Sequence, residues 1–409
     1  MESGSAGGPG PSLLVLGAGP AQLGLLEAAR ARGLNVIAVD RDPGAPGFRL
    51  AQRRALISTE DEPAIHRLAE AERIDGVISP GADWPVGIAA RVAKRLSLPH
   101  PLAPETAVLT TSKLRQRERF AEAGVAHVAW RLATELETDV RLPCVVKAPD
   151  RQGQRGLSLV REPSELPEAM RRAIGASRSG AALIEELVEG PEVTVQGFSV
   201  EGAFRPLLVT DRLTAEPPAF GVALAHVWPP EHAEGAAELA ASAAASLGVR
   251  NGPTYTQIRI GPRGPQVVEL AARLGGGHDA ELCEAAVGVD LNGLALDAAL
   301  GASVEPEELA PRRAAGGAIT RFLVARAGEL EEVAGVEEAE SLEGIRRVRV
   351  YPSPGQELAE LRTGSDRVGA VIAVGRSRAE AWERSARAAD LVRFETADAG
   401  TPLEAGHPA

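Results

Sequence analysis

Lysine is rare in this chain, and two of its lysines lie where chemistry could be done. The 409 residues contain 44 lysines and arginines together, of which only Lys94, Lys113 and Lys147 are lysines. Because arginine carries nearly all of the other positive charge, a retained lysine indicates a position that needs a compact ammonium rather than a planar guanidinium. Lys113 begins an amphipathic segment and Lys147 ends an apolar strand, whereas Lys94 is expected on the surface.

A glycine-rich loop follows the strand that Lys147 ends. The segment 150–158 contains Gly153 and Gly156, and it finishes with the hydroxyl of Ser158. Glycines allow the backbone to approach a ligand closely, and the N–H groups of such a loop can point at phosphate oxygens. A strand, a terminal lysine and a glycine-rich loop therefore predict a phosphate-binding site.

Oxygen-bearing side chains are expected to meet on a β-hairpin later in the chain. Residues 255–260 and 265–273 are predicted strands around the turn 261–264, and their pairing would bring Gln257 close to Glu269. Mg²⁺ is bound by oxygen atoms, and it usually takes few carboxylates and completes its shell with water and phosphate. The hairpin therefore predicts a site for Mg²⁺, or Mn²⁺, beside the phosphates.

Composition narrows the class of protein. A formal charge of −12 disfavours nucleic-acid binding, and no apolar run reaches membrane-spanning length. The two cysteines, Cys144 and Cys283, lie far apart in apolar contexts, so a reduced compartment is favoured, although a single disulfide is not excluded. We therefore expect a cytoplasmic protein that acts on small molecules, with a homodimer as one assembly it could form.

The N-terminal part alternates short apolar strands with helices. Predicted strands at 12–17, 35–40, 55–58 and 76–80 are separated by predicted helices that include 25–32 and 62–72. This α/β alternation predicts a Rossmann-like, doubly wound parallel sheet. The turn 17–24 could bind a nicotinamide dinucleotide with Asp40 on the ribose, although Gln22 stands where the third glycine of that motif belongs. A nicotinamide-dependent oxidoreductase therefore stays an alternative.

These features, in this order along the chain, resemble the ATP-grasp superfamily of carboxylate–amine ligases over roughly residues 12–300. The resemblance implies a Rossmann-like pre-ATP-grasp domain, a two-lobed α+β ATP-grasp domain and a small β-rich C-terminal subdomain. The predicted division is a disordered N-terminus at 1–10, these three domains at 11–110, 111–310 and 311–396, a lid subdomain at about 117–188 within the second, and a tail at 397–409.

The resemblance also implies roles for individual residues. ATP would be held by the set Lys113, Lys147, Gly153, Gly156, Ser158, Glu185, Glu186, Val188 and Glu192. Within this set, the lysines would contact the α- and β-phosphates, Glu185 and the Val188 backbone the adenine, and Glu192 the ribose. Gln257 and Glu269 would bind Mg²⁺, and Lys147, Glu269 and Arg273 would be catalytic. His226, Gly276 and His278 are the candidate substrate residues.

The implied reaction is ATP-dependent activation of a carboxylate as an acyl phosphate, followed by attack of an amine and release of ADP and phosphate. The Glu-x-Ala-x-Arg-x-Gly-Gly-Gly pattern at 269–277 is most similar to amino-acid and dipeptide ligases. Carbamoyl-phosphate synthetase and the purine-pathway enzymes share the resemblance. A purine-pathway carboxylase or formyl-transfer enzyme is the alternative on the same fold. The family commonly has Asn where this chain has Ala271, so a weakened second metal site, or a non-catalytic nucleotide-binding protein, also stays open.

Overall fold

The computed structural model describes residues 10–137 and 139–397. The predicted disordered N-terminus and C-terminal tail therefore lie outside the described residues, apart from one residue of each. Within these two ranges, no helix combines the length and apolar character needed to cross a membrane.

A four-stranded parallel sheet forms the N-terminal part. Its elements are β1 (Ser12–Leu16), α1 (Leu23–Ala31), β2 (Asn35–Asp40), β3 (Arg53–Leu56), α2 (Glu62–Glu72), β4 (Gly76–Ile78) and α3 (Trp84–Leu96), with strand order β3-β2-β1-β4. Leu14 of β1 and Ile37 of β2 are completely or almost completely buried, as expected for a parallel sheet covered on both faces. The predicted doubly wound parallel sheet is confirmed.

A small antiparallel sheet, here called the lid sheet (β5 to β8), follows two helices. The elements are α4 (Pro104–Thr110), α5 (Lys113–Ala123), β5 (Trp130–Ala133), β6 (Cys144–Lys147), β7 (Ser158–Val160), α6 (Leu166–Ala176) and β8 (Ala182–Glu186), with strand order β5-β8-β6-β7. Ser112 caps α5 by accepting a hydrogen bond from the Arg115 N–H, and Gly124 ends the helix with a positive φ of 67°. This capping places Lys113 in the first turn of α5, as the sequence predicts.

An eight-stranded antiparallel sheet, here called the main sheet, spans the rest of the chain. Its first part comprises β9 (Glu192–Val200), β10 (Ala203–Thr214), β11 (Ala223–Trp228), α7 (Ala236–Ser246), β12 (Gly252–Gly261), β13 (Gly264–Ala271), α8 (Asp279–Val287) and α9 (Leu291–Leu300). The predicted hairpin is present as β12 and β13, and Gln257 lies directly opposite Glu269 in its register.

The C-terminal part extends the same sheet. Its elements are β14 (Gly317–Leu323), β15 (Gly328–Ala334), α10 (Val336–Ser341), β16 (Ile345–Val350), β17 (Glu357–Leu358), β18 (Gly369–Gly375), α11 (Arg378–Leu391) and β19 (Arg393–Thr396). Three of these strands join the main sheet, whose order is β13-β12-β9-β10-β11-β14-β18-β16, and the other three form a separate sheet of order β17-β15-β19. Strands on both sides of residue 310 are therefore hydrogen-bonded in one sheet, and the boundary at 310 stays a prediction.

Two helices fasten the N-terminal sheet to the main sheet. Apolar residues of α8 and α9 share one buried cluster with α1 and with strands β9, β10 and β18. Leu26 and Leu296 are completely buried in this cluster, so truncating either to Ala should cost about 2–5 kcal/mol of unfolding free energy. Cys283 lies in the same cluster, and both cysteines are free and buried. This shared core joins the N-terminal sheet to the main sheet, whereas the lid sheet has a buried cluster of its own.

Candidate active site

A cleft between the lid sheet and the main sheet is lined by both lysines that the sequence singled out. This main cleft is lined by residues that include Lys113, Lys147, Glu185, Gln257, Glu269 and Arg273. The Lys113 and Lys147 side chains are 10% and 6% exposed, whereas that of Lys94 is 65% exposed and pairs with Glu105 on the surface. Lys113 and Lys147 therefore lie in a cleft and Lys94 on the surface, and the predicted contact of the first two with phosphate stays a prediction.

Glu185 holds Lys147 in place. Its Oε2 atom lies 2.7 Å from the Lys147 ammonium, and its Oε1 atom accepts hydrogen bonds from the guanidinium of Arg117 at 2.7 and 2.9 Å. Burial alone would raise the pKa of Glu185, but the charges of Arg117 and Lys147 hold it below its usual value. Both carboxylate oxygens are thus engaged inside the protein, and the geometry makes Glu185 a positioning residue for Lys147.

Arg117 is a member of the site that the sequence did not reveal. It is completely buried, and besides Glu185 it donates to the Val268 carbonyl. Because arginine on an amphipathic helix is usually solvent-exposed, the sequence offered no reason to place Arg117 in the site. The available signal is spacing, because Arg117 follows Lys113 by four residues and so shares its face of α5.

Lys113 and Glu269 form a second buried ion pair. The Lys113 ammonium lies 2.9 Å from Glu269 Oε1 and donates to the Arg151 carbonyl at 2.7 Å. Burial alone would raise the pKa of Glu269, but Lys113 and Lys147 hold it below its usual value. Glu269 therefore stays ionised, and it faces Gln257 across the hairpin.

The acidic groups of this site suit a cation that brings most of its own ligands. In the part of the chain that the structure describes, no group of three or more His, Cys, Asp or Glu residues could hold a metal ion. Of the five carboxylates that line the main cleft, Asp83, Glu185, Glu186 and Glu192 are paired with arginines, and Glu269 is the one that lies opposite an amide side chain, that of Gln257. This donor set fits a Mg²⁺ ion carried largely by phosphate and water, and it does not fit an all-protein metal cage.

The glycine-rich loop divides into a cleft-lining part and a structural part. Gly153 lines the main cleft at φ 67°, with open space where a Cβ would lie. Gly156 does not line the main cleft. It lies close to α6 instead, where a Cβ would come within 2.8 Å of the Ala176 side chain. Ser158 begins β7, lies outside the cleft lining, and has a buried hydroxyl without a hydrogen-bond partner among the described residues.

The main cleft is also lined by a group of apolar residues, here called the apolar slot, and by further acidic residues. The apolar slot consists of Val128, Val145, Leu157, Val188 and Val268. Glu186 pairs with Arg263 at 2.7 Å, and Glu192 pairs with Arg212 at 2.7 Å and with Arg259 at 3.1 Å. Apolar side chains can pack against the ring of a ligand, and the carboxylates of Glu186 and Glu192 are already held by arginines.

Arg273 joins the main sheet to the N-terminal part of the chain. Its Nε and Nη2 atoms lie 2.7 and 2.5 Å from Asp83 Oδ1, and the Asp83 N–H donates to the side chain of Gln152 in the glycine-rich loop. Burial alone would lower the pKa of Arg273, but Asp83 raises it. The sequence did not predict Asp83, because a pairing over 190 residues leaves no local pattern.

A second cavity adjoins the main cleft and shares Arg273, Tyr255 and Gln257 with it. This second cavity is also lined by Gln22, His226, Gly276, Tyr351 and Arg367. His226 and Gly276 are therefore brought to it, but His278 is not. The His278 ring is hydrogen-bonded to Glu281 at 3.0 Å and to the Tyr351 hydroxyl at 2.6 Å, so it supports the wall from behind.

The main cleft is positively charged in an acidic chain. Seven cationic and five acidic side chains line it, an excess of two positive charges, while the formal charge of the whole chain is −12. The cations are Lys113, Lys147, Arg151, Arg155, Arg212, Arg259 and Arg273. Focused positive charge in a concave site attracts anionic ligands, so the electrostatics fit a nucleoside triphosphate.

Comparisons with known proteins agree with this geometry. Residues 140–281 match the family described as ATP-grasp domain, and residues 321–397 match L-amino acid ligase C-terminal domain 2. The fold superposes on the crystal structure of an L-amino acid ligase from Bacillus licheniformis with a TM-score of 0.81 and 21% identity, covering 96% of this chain and 100% of that one.

Two sequence relatives extend the comparison. An uncharacterized protein of Sinorhizobium fredii is 28% identical over 381 residues, which are 87% of this chain and 77% of that protein. A formate-dependent phosphoribosylglycinamide formyltransferase of Solidesulfovibrio magneticus is 31% identical over 198 residues, but the match spans only 44% of this chain and 46% of that enzyme. The two family matches lead to one conclusion: residues 140–281 carry an ATP-grasp domain, and residues 321–397 carry an L-amino acid ligase C-terminal domain.

Proposed function

We propose that this ligase joins the carboxylate of one amino acid to the amine of another at the expense of ATP. The observation that carries the proposal is that the main cleft and the second cavity adjoin each other and share Arg273 in their linings. The main cleft concentrates Lys113, Lys147 and Glu269, and the second cavity opens from it with arginine and histidine side chains. The match of the C-terminal part to an L-amino acid ligase domain supports amino acids as the substrate class.

ATP-grasp enzymes use ATP with Mg²⁺, and the residues of the main cleft fit that pair. Lys113, Lys147 and Gly153 would meet the phosphates, and the apolar slot with the backbone of Glu186 to Val188 would hold the adenine. Gln257 and Glu269 would complete the shell of Mg²⁺ or Mn²⁺. When bound, ATP supplies the phosphoryl group that turns a carboxylate oxygen into a leaving group. The chain then contributes positioning and neutralisation of charge.

Three predicted ATP residues acquire supporting roles in this proposal. Glu185 would act through Lys147, because Arg117 and Lys147 already occupy both of its oxygens. Gly156 and Ser158 would shape the loop, since neither lines the main cleft. Glu192 lines the cleft and would reach the ribose only with Arg212 and Arg259 still bound to it.

Arg367 would bind the substrate carboxylate. Its guanidinium lies 3.8 Å above the Phe322 ring and donates to the backbone carbonyls of Gly364 and Ala223. Among the described residues it has no carboxylate partner, and burial lowers its pKa. A partly buried guanidinium without a carboxylate partner favours an anionic ligand, and the α-carboxylate of an amino acid provides one within the second cavity.

A phosphoribosyl substrate is the second candidate, and one observation favours it. Arg41, Arg151, Arg155 and Arg178 line a third pocket at the carboxyl ends of the N-terminal strands, where ligands of parallel sheets commonly bind. A phosphate ester would fit these arginines. The L-amino acid ligase match at 321–397 favours amino acids instead. Cytoplasmic location and a homodimer stay predictions.

The test is a screen of substrate pairs. Purified protein would be incubated with MgATP and pairs of amino acids, and ADP, phosphate and the amide product would be measured together. We expect phosphate release that depends on both amino acids and equals product formation, with Lys147→Ala inactive and Lys94→Ala unaffected. Turnover with formate and a phosphoribosylamine, and none with any amino-acid pair, would instead establish the second candidate.

A further inference from the structure

The second cavity contains a histidine fixed by a buried carboxylate. His226 projects from β11 and is only 2% exposed, and its Nδ1 atom lies 2.6 Å from Asp279 Oδ1. Asp279 stands at the start of α8, 53 residues later in the chain. The sequence marked His226 only as a substrate residue, and it gave Asp279 no role.

Asp279 is held as an ionised carboxylate. Its Oδ1 atom also accepts a hydrogen bond from the Gln196 side chain at 2.9 Å, and its Oδ2 atom accepts one from the Gly277 N–H at 3.0 Å. Burial alone would raise the pKa of Asp279, but His226 and the backbone hydrogen bond of Gly277 hold it below its usual value. An ionised partner at Nδ1 requires that this nitrogen carry the proton, which leaves the lone pair of the neutral ring on Nε2.

The ring of His226 is fixed with one edge towards Gly277. It stacks on Tyr255 with a centroid distance of 6.4 Å and meets Phe322 edge-on at 5.9 Å. A Cβ at Gly277 would lie 3.3 Å from His226 Cε1, the carbon between Nδ1 and Nε2. A side chain at this glycine would therefore crowd the ring, and Nε2 of His226, which lines the second cavity, has no hydrogen-bond partner among the described residues.

No other group in the second cavity is suited to take a proton near neutral pH. Of the described residues that line it, none is Asp or Glu. Arg212, Arg273 and Arg367 carry their protons permanently. The pKa values of Tyr255 and Tyr351 are raised by burial, so both phenols stay neutral.

We propose that His226 is the general base of the ligation step, with Asp279 as its positioning residue; this rests on the proposed function. The attacking amine arrives as an ammonium at neutral pH and must lose a proton to become a nucleophile. Its nitrogen lone pair then forms the C–N bond at the activated carbonyl carbon. The bond from that carbon to the phosphate oxygen breaks, and phosphate leaves with the electron pair. The proton that the ammonium loses before the attack resides on His226 Nε2, and the second proton, lost from nitrogen as the amide forms, passes to the departing phosphate.

Comparing two nucleophiles tests this role. Hydroxylamine is largely uncharged at neutral pH, so it captures an activated carboxylate as a hydroxamate without needing a base, whereas an amino acid does need one. His226→Gln keeps a donor for Asp279 and removes the base. With this variant we expect hydroxamate formation close to wild type and amide formation with saturating amino acid reduced by about 10²–10⁴-fold.

Asp279→Asn should likewise lower amide formation far more than hydroxamate formation, because without the carboxylate the proton of His226 is no longer fixed on Nδ1. His100→Asn is the matched control, since among the described residues His100 is hydrogen-bonded to Leu102 alone and lines neither the main cleft nor the second cavity. A thermal shift with MgATP checks that each variant is folded. Equal losses with hydroxylamine and amino acid in both folded variants would overturn the proposal. A wild-type protein that forms neither ADP nor hydroxamate would overturn the proposed function, and this inference with it.

Discussion

The Lys113 ammonium lies 2.9 Å from the Glu269 carboxylate, so a proposed phosphate-binding lysine and the proposed Mg²⁺ ligand neutralise each other across the main cleft. Burial alone would lower the pKa of Lys113, but Glu269 and Asp83 raise it. Both groups therefore stay charged in a buried place. Binding of Mg²⁺ and a triphosphate would give each of them a new partner of opposite charge.

Removing the charge of Glu269 should abolish turnover while leaving weak nucleotide binding. Glu269→Gln keeps the size of the side chain but loses the only carboxylate placed on Mg²⁺, so activity should fall by orders of magnitude. Gln257→Ala should be milder, because water can replace a neutral ligand. The measurement is ADP release across a Mg²⁺ titration with a competent substrate pair.

Ala271→Asn is the control for this site. It restores the residue that the family commonly has beside the metal, so it should be tolerated and should lower the Mg²⁺ concentration needed for half activity. Full activity in Glu269→Gln at every Mg²⁺ concentration would contradict the assignment of the metal site.

A charge-conserving change at Lys147 should still be damaging. Arginine is larger and planar, and it would have to fit beside Glu185 where the ammonium now lies 2.7 Å away. We expect Lys147→Arg to lower kcat/KM at least tenfold, about 1.4 kcal/mol of transition-state stabilisation. Lys94→Arg on the surface should be silent, and equal tolerance at the two positions would refute the argument from lysine rarity.

Glu185 should matter for stability as well as for activity. Glu185→Gln leaves the guanidinium of Arg117, which is completely buried, without its counter-ion, and breaking such a pair typically costs about 3–5 kcal/mol. Glu186→Gln is the matched control, since its partner Arg263 is exposed and such pairs are worth about 0–1 kcal/mol. Urea unfolding of the two variants measures the difference, and similar losses would contradict the buried role of Glu185.

Glu281 should make the protein sensitive to acid. Burial alone would raise its pKa, but His278 and Arg349 lower it to about 2. Because the folded pKa lies below the unfolded one, the contribution of Glu281 is complete above about pH 4.5 and disappears as the pH falls towards 2, a loss of roughly 3 kcal/mol. The unfolding free energy of wild type should approach that of Glu281→Gln as the pH is lowered, and parallel curves would contradict this.

Local patterns were sufficient to predict much of the fold and part of the site. Strand and helix periodicity gave the parallel sheet, and the hairpin around 261–264 gave the pairing of Gln257 with Glu269. The placement of Lys113 and Lys147 followed from their positions at the ends of a helix and a strand. Each of these features is set by residues close together in sequence.

Features that depend on distant pairing were missed. Asp83 meets Arg273 across 190 residues, and Arg117 is buried only because β8 presents Glu185 to it. His226 and His278 show the same limit of sequence-based prediction, since the sequence around each of them is equally compatible with a substrate-binding residue. Tertiary packing turns His226 into the second cavity and directs His278 to Glu281 and Tyr351. Burial of a charged residue against a distant partner leaves no local signal.

The central claim is that a carboxylate is activated by phosphoryl transfer, and isotope transfer tests it most directly. A competent amino acid labelled with oxygen-18 in its carboxylate would be ligated with MgATP, and the released phosphate would be analysed by mass spectrometry. Activation as an acyl phosphate places one labelled oxygen in each phosphate, because the bond from carbon to that oxygen breaks when the amine attacks. Released phosphate that carries no oxygen-18 would contradict activation of the carboxylate by phosphoryl transfer.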